Sequence, residues 1–143
     1  MKKLFSVYAL AAVTFVVGPQ ILRASDALCP LGNATLHVSY VVSGSGTIAN
    51  VRQVTAVGEH MWDGQGSTSA KNTISANGNV FSATVTGTYT VNADCTGSLA
   101  ESDGSHYNFV VAPDGNHLWW IETDTGTVLS GTEVRLRRAA GEK

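Results

Sequence analysis

Polar and apolar residues alternate most regularly between Phe81 and Val91. The odd positions there are apolar, aromatic or Gly, and the even positions are Ser or Thr. Because successive side chains of a strand point to opposite faces, a period of two residues is typical of a β-strand. The segment therefore predicts a strand with one apolar face, and Gly87 at its centre is a natural place for a bend in a barrel wall.

The same alternation recurs elsewhere in the chain. No stretch after residue 27 shows the 3.6-residue apolar period with capping residues that marks a helix. The pattern therefore predicts an all-β protein. Three further sets of alternate residues each share a face: Tyr107, Phe109 and Val111; Leu36, Val38 and Tyr40; and Val128, Ser130, Thr132, Val134 and Leu136.

Turn signals divide the chain into segments. Four Asx-Gly pairs supply the positive φ angles of tight hairpins, and we interpret Gly44-Ser45-Gly46 as a further hairpin turn. The four pairs are Asp63-Gly64, Asn77-Gly78, Asp103-Gly104 and Asp114-Gly115. The predicted strands are Ala34 to Ser43, Thr47 to Trp62, Gly66 to Ala76, Asn79 to Val91, Cys95 to Ser102, His106 to Ala112, His117 to Thr123 and Thr127 to Arg137.

Short connections make sequential strands antiparallel neighbours. We therefore predict a single antiparallel up-and-down meander of about eight strands that closes into a small barrel of the lipocalin or avidin type. The segment Gly66 to Gly78 has few apolar residues, so it is predicted to be an exposed or loose strand.

The chain begins with the pattern of an export signal. Lys2 and Lys3 precede an apolar stretch, Leu4 to Gly18, which is shorter than the roughly 20 residues that span a bilayer. We expect cleavage after Ala27, with Ala24 as the alternative. The large Leu28 disfavours a lipid anchor on the following cysteine.

The predicted organisation has three parts. Residues 1–27 form a cleaved signal peptide, 28–138 the β-barrel domain and 139–143 a disordered tail. The product is predicted to be secreted or periplasmic, with no stable membrane span after removal of the signal.

Charge and cysteine content narrow the function classes. The signal removes three of the nine basic and one of the eleven acidic residues, which leaves a net charge of −4. This balance disfavours nucleic acid as a partner. The chain has two cysteines, Cys29 and Cys95, and an exported chain would oxidise them to a disulfide.

No catalytic signature is recognisable. His60 and Trp62 share a strand face, but nothing in the sequence brings Glu59, Asp63 or Glu122 together as a carboxylate pair. The four histidines lack metal-ligand spacing, and Gly44-Ser45-Gly46 lacks a nucleophile elbow. We therefore predict no enzyme activity, no metal and no cofactor.

Large aromatic residues are numerous for a domain of this size. Trp119 and Trp120 are adjacent, so they must point to opposite faces and at most one of them faces the interior. The residues predicted to line a ligand pocket are Tyr40, Trp62, Phe81, Tyr89, Tyr107, Phe109 and Trp120.

Three sequence blocks resemble a family of small exported bacterial proteins of uncharacterised activity. The central block, Gly87 to Ser98, reads GTYTVNADCTGS and is similar to the family's G-T-Y-T-V-N-x-D-C-T-G-[ST]. Cys29 with Asn33 to Leu36 and Tyr40 resembles its C-S-N-A-T-L-x-G-x-Y opening, and Thr123 to Gly131 its T-D-P-G-T-V-V-S-G close. The resemblance implies an exported domain with one cysteine pair and implies no activity.

The leading functional hypothesis is a non-enzymatic exported barrel that binds a small apolar or aromatic ligand, or a surface partner. The alternative is a structural or envelope-associated module with a filled core and no ligand. A cyclase-like or isomerase-like barrel enzyme is the third hypothesis. A cavity of a few hundred Å³ would favour the first hypothesis over the second, and histidine and carboxylates converging in it would favour the third.

Overall fold

The structure is a computed structural model that describes residues 27–137. The predicted signal peptide, except Ala27, and the predicted tail at 139–143 lie outside the described residues. A short 3-10 turn, Gly32–Thr35, precedes eight strands. The strands are β1 (Ser39–Ile48), β2 (Arg52–Trp62), β3 (Ser67–Ala76), β4 (Asn79–Val91), β5 (Thr96–Glu101), β6 (His106–Val111), β7 (His117–Glu122) and β8 (Thr127–Arg135).

Each strand pairs antiparallel with its neighbours in sequence, and β1 also pairs with β8. Gly44 of β1, for example, lies between Ala56 of β2 and Gly131 of β8. The sheet therefore closes on itself, and the predicted all-β meander closing into a barrel is confirmed. The segment predicted to be exposed or loose is a regular strand, β3, paired along its length on both sides.

The four Asx-Gly pairs all lie in strand connections. Their glycines, at positions 64, 78, 104 and 115, have φ between +66° and +94°. The Asp63 carboxylate also accepts hydrogen bonds from three backbone N–H groups, at Gln65, Gly66 and Ser67 (2.7–3.0 Å). These side-chain bonds stabilise the turn that joins β2 to β3.

The interpretation of Gly44-Ser45-Gly46 as a turn is wrong. Both glycines lie inside β1, and the chain reverses after Ile48, where Asn50 has φ +68°. The predicted break between Ser43 and Thr47 is therefore also wrong. A Cβ at Gly46 would overlap the backbone of Val128 on β8, so glycine here permits close approach of two strands.

One end of the barrel is closed and densely packed. The 3-10 turn and Leu36 cover it, and the predicted disulfide is present between Cys29 and Cys95, with the two Cα atoms 5.1 Å apart. The Asn33 side chain accepts a hydrogen bond from the Val91 backbone N–H (2.8 Å). The N-terminal segment is thereby fixed across the end of the barrel.

The strand β8 has its more apolar face outside. Val128, Val134 and Leu136 are exposed, whereas Glu133 is 3% exposed. Because side chains alternate, Leu129, Gly131 and Glu133 form the inner face of this strand.

Among residues 27–137, no helix has the length and hydrophobicity to cross a membrane.

Candidate ligand-binding cavity

The barrel interior contains a cavity of about 390 Å³. Its floor is the packed layer at the closed end, where Trp62 and Leu118 line it. It extends to the other end, where the turn residues Val51 and Asp103 line it. Small side chains on the inner faces of β2, β3 and β4 leave this space open. These are Ala56, Ala70 and Ala83.

Five of the seven predicted pocket residues line this cavity. They come from four different strands, and four of them form two edge-to-face pairs: the Trp62 and Phe109 ring centroids lie 5.7 Å apart, and those of Tyr107 and Trp120 lie 5.4 Å apart. The five are Trp62, Phe81, Tyr107, Phe109 and Trp120.

The other two predicted pocket residues, Tyr40 and Tyr89, do not line the cavity. Both are buried in the closed end, where the Tyr89 hydroxyl donates to the Leu36 carbonyl (2.9 Å) and the Tyr40 hydroxyl donates to the Gly115 carbonyl. Burial raises the pKa of Tyr40 to about 12. Alternation placed both rings inside correctly, but it carries no information on height along the barrel axis.

The adjacent tryptophans point to opposite faces, as predicted. Trp119 is 53% exposed and stacks on His117 outside the barrel. The indole of Trp120 points inward and lies against Gly44 and Gly131, where a Cβ would overlap the ring. The two glycines therefore make the recess that holds Trp120 on the cavity wall.

A buried polar cluster lies in the deep part of the cavity. The Glu133 carboxylate accepts hydrogen bonds from His60 Nδ1 (2.8 Å) and from Trp62 Nε1 (2.9 Å). His60 and Glu133 are each 3% exposed. With Glu133 ionised, the histidine tautomer that satisfies this contact has its proton on Nδ1.

Three buried polar atoms on the cavity wall have no hydrogen-bond partner within residues 27–137. They belong to residues that line the cavity, and they are His60 Nε2, Asn72 Oδ1 and Trp120 Nε1. A buried polar group without a partner costs about 1–3 kcal/mol. A ligand or water that hydrogen bonds with these atoms would remove that cost.

Glu101 lies on the cavity wall beside Tyr107. Burial raises the pKa of Glu101 to about 7, and the neighbouring charges of Asp103 and Glu133 act in the same direction, whereas His60 and the Tyr107 hydroxyl oppose it. Burial and the Glu101 charge also raise the pKa of Tyr107. The carboxyl of Glu101 can therefore exchange a proton near neutral pH.

Sequence reasoning did not select Glu133 or Glu101. A usable signal existed for Glu101, which is two residues from the buried Leu99 and therefore shares its face. For Glu133 the signal pointed the other way, because the residues that flank it in β8 are the more apolar set.

The histidines do not converge. His60 is inside the barrel, whereas His37, His106 and His117 are exposed. Within the described part of the chain no group of three or more His, Cys, Asp or Glu could hold a metal ion.

Comparisons of the chain with protein-family models, curated proteins and solved structures find no match. Membership of the exported bacterial family therefore stays a prediction.

Proposed function

We propose that this barrel binds one small, mostly apolar or aromatic molecule in its interior and performs no chemistry on it. The observation that carries the proposal is the open cavity of about 390 Å³ with aromatic rings on its wall. Cavities for small ligands are mainly apolar, begin at about 300 Å³ and contain a few polar groups that orient the ligand. Apolar side chains with a deep polar cluster fit that description.

The cavity disfavours the alternative of a structural module with a filled core. In a filled barrel of eight strands the inward side chains meet at the axis. Here alanines occupy three inward positions that larger residues would need to fill, namely Ala56, Ala70 and Ala83. A ligand supplies the missing contacts.

The proposal includes export to an oxidising compartment, secreted or periplasmic. The disulfide between Cys29 and Cys95 is consistent with such a location, because cytosolic proteins rarely keep structural disulfides. The resemblance to an exported bacterial family supports the same location.

Fluorescence titration with the uncharged probe N-phenyl-1-naphthylamine tests ligand binding. We expect saturable binding of one probe per chain with a change in tryptophan emission, since Trp62 and Trp120 line the cavity. Replacing Ala83, which points inward, by Phe should weaken binding at least tenfold. The matched control is Thr84→Phe on the outer face of the same strand, which should bind like the natural chain. Equal binding by both variants, or none by the natural chain, would contradict the proposal.

A second candidate function is proton transfer, favoured by the pairing of His60 with Glu133. An imidazole whose Nδ1 is held by a buried carboxylate and whose Nε2 has no partner among residues 27–137 has the arrangement of a general base. In this function His60 Nε2 takes a proton from a carbon next to a carbonyl and returns it to another carbon of the same molecule, which is an isomerisation without a further reactant.

Conversion of a β,γ-unsaturated apolar ketone to its conjugated isomer, followed by absorbance, tests this second function. Turnover that falls at least a hundredfold in His60→Ala, and is unchanged in the control His106→Ala on the outer face, would support it. Absence of turnover by the natural chain would count against it and leave ligand binding as the function.

A further inference from the structure

The cavity wall has an unbalanced charge. Four acidic residues line it, whereas among the described residues that line it none is Lys or Arg. The described basic side chains are elsewhere: Lys71 is exposed on β3, for example, opposite Glu59 of β2. The four acidic residues are Glu101, Asp103, Glu122 and Glu133.

These carboxylates are distributed along the cavity. Asp103 lies in the turn between β5 and β6 at the open end, and Glu122 is opposite Tyr107 near the same end. Glu101 is the last residue of β5 and lies opposite Gly87 of β4. Glu133 lies in the deep cluster. A ligand that moves inward therefore meets acceptor oxygens near the open end and again in the deep cluster.

Glu101 and Glu133 differ in their hydrogen bonding. Glu133 accepts hydrogen bonds from two N–H donors, His60 Nδ1 and Trp62 Nε1. Within residues 27–137 no Lys, Arg or His makes an ion pair with Glu101. A carboxylate partly removed from water is costly, and the raised pKa of Glu101 reflects that burial, which the opposing effect of His60 offsets only in part. A cationic ligand would pair with it.

A second and independent observation concerns the Nε2 atom of His60. This residue is 3% exposed, lines the cavity and has no partner for Nε2 within the described chain. In the neutral tautomer with Nδ1–H donating to Glu133, Nε2 offers a lone pair and accepts a hydrogen bond. The deep cluster therefore also favours a ligand that donates a hydrogen bond to His60 Nε2.

We propose that the ligand is a small organic amine: a protonated primary ammonium pairs with Glu101 and donates to His60 Nε2, and an apolar or aromatic body packs against Trp62, Phe109 and Trp120. This inference rests on the proposed ligand-binding function and names its ligand class. An ammonium group also interacts favourably with aromatic ring faces. A carboxylate ligand would face the uncompensated acidic wall.

Calorimetric titration with three probes of one shape tests the ligand class. The probes are 2-phenylethylamine, 2-phenylethanol and phenylacetate. We expect the amine to bind at least tenfold more tightly than the alcohol, and the acid more weakly than either. Equal affinities of amine and alcohol, or tighter binding of alcohol or acid, would overturn the amine proposal and leave the cavity function standing. If neither these three probes nor N-phenyl-1-naphthylamine binds, the amine proposal and the ligand-binding function both fail.

The variant Glu101→Gln tests the assigned partner. It keeps the shape and removes the charge, so the ratio of amine to alcohol affinity should fall towards one. The matched control is Glu59→Gln on the outer face of β2, where the ratio should be that of the natural chain. Circular dichroism and a melting curve establish that both variants fold. A ratio that stays above ten in folded Glu101→Gln would overturn the assignment.

Discussion

At the scale of single residues, Glu101 on the cavity wall makes the stability of the protein depend on pH. Its folded pKa of about 7 lies above the ordinary 4.5, so the folded state holds a proton between these values that the unfolded chain releases. The stability from this group is therefore complete below pH 4.5 and is lost as the pH rises to 7. The groups that act on Glu101 are His60 of β2, Asp103 of the β5–β6 turn, Tyr107 of β6 and Glu133 of β8.

We predict that the free energy of unfolding falls by about 2 kcal/mol between pH 4.5 and 7.5. This is less than the full 1.4 kcal/mol per pKa unit, because Glu101 is only partly buried and water screens it. Urea unfolding followed by fluorescence across this range measures the effect. In Glu101→Gln most of the slope should disappear, with a remainder from Glu122, whose pKa burial also raises. The control Glu59→Gln should keep the slope, and a natural chain without any slope would refute the account of Glu101.

The alternation of polar and apolar residues also predicted which side chains share a face of a strand, but not which face is inside. It gave the opposite directions of Trp119 and Trp120 and placed Tyr107 and Phe109 on one face. It did not find Glu133. A two-residue period identifies the residues that share a face, but it does not identify which face is inside the barrel. In β8 the apolar set faces outward, so the usual assumption that apolar residues are buried fails there.

At the scale of elements, glycines inside β1 mark close strand contact. The sequence could give six of the eight strands with boundaries close to those observed, because Asx-Gly turns depend on local φ preferences; the first predicted strand, Ala34 to Ser43, and the start of the second at Thr47 are wrong. Gly44-Ser45-Gly46 resembled a turn for the same reason. These glycines are instead required by residues distant in sequence: Gly44 lies against the Trp120 ring and Gly46 against the Val128 backbone. A local sequence pattern contains no information on such contacts.

We predict that Gly46→Ala destabilises the protein by about 2 to 3 kcal/mol, since the added methyl group overlaps the Val128 backbone and must separate β1 from β8. Urea denaturation compared with the natural chain measures the change. The control Ser45→Ala on the outer face should change stability by less than about 0.5 kcal/mol. A Gly46→Ala chain as stable as the natural one would mean that these strands are not closed as described.

At the scale of the whole molecule, the disulfide fixes the N-terminal segment over the closed end. The bond joins residues 66 positions apart. On the chain-entropy model it removes about 4 kcal/mol of denatured-state freedom. The cavity leaves part of the interior without side-chain contacts, so we expect the barrel to depend strongly on this bond.

Reduction of the Cys29–Cys95 bond should lower the melting temperature by about 15 °C. Differential scanning calorimetry with and without a reductant measures the shift. The double variant Cys29→Ser, Cys95→Ser should melt at the lower temperature in both conditions. An unchanged melting temperature on full reduction would contradict this role of the bond.

The most direct test of the account is where a bound apolar molecule lies, and the neighbouring tryptophans Trp119 and Trp120 provide the two reporters. Nuclear Overhauser contacts between saturating N-phenyl-1-naphthylamine and the assigned protein measure that position. We predict contacts to the indole of Trp120 and to Phe109 inside the barrel. Contacts confined to Trp119 and Ile121 on the outer surface would contradict binding in the cavity.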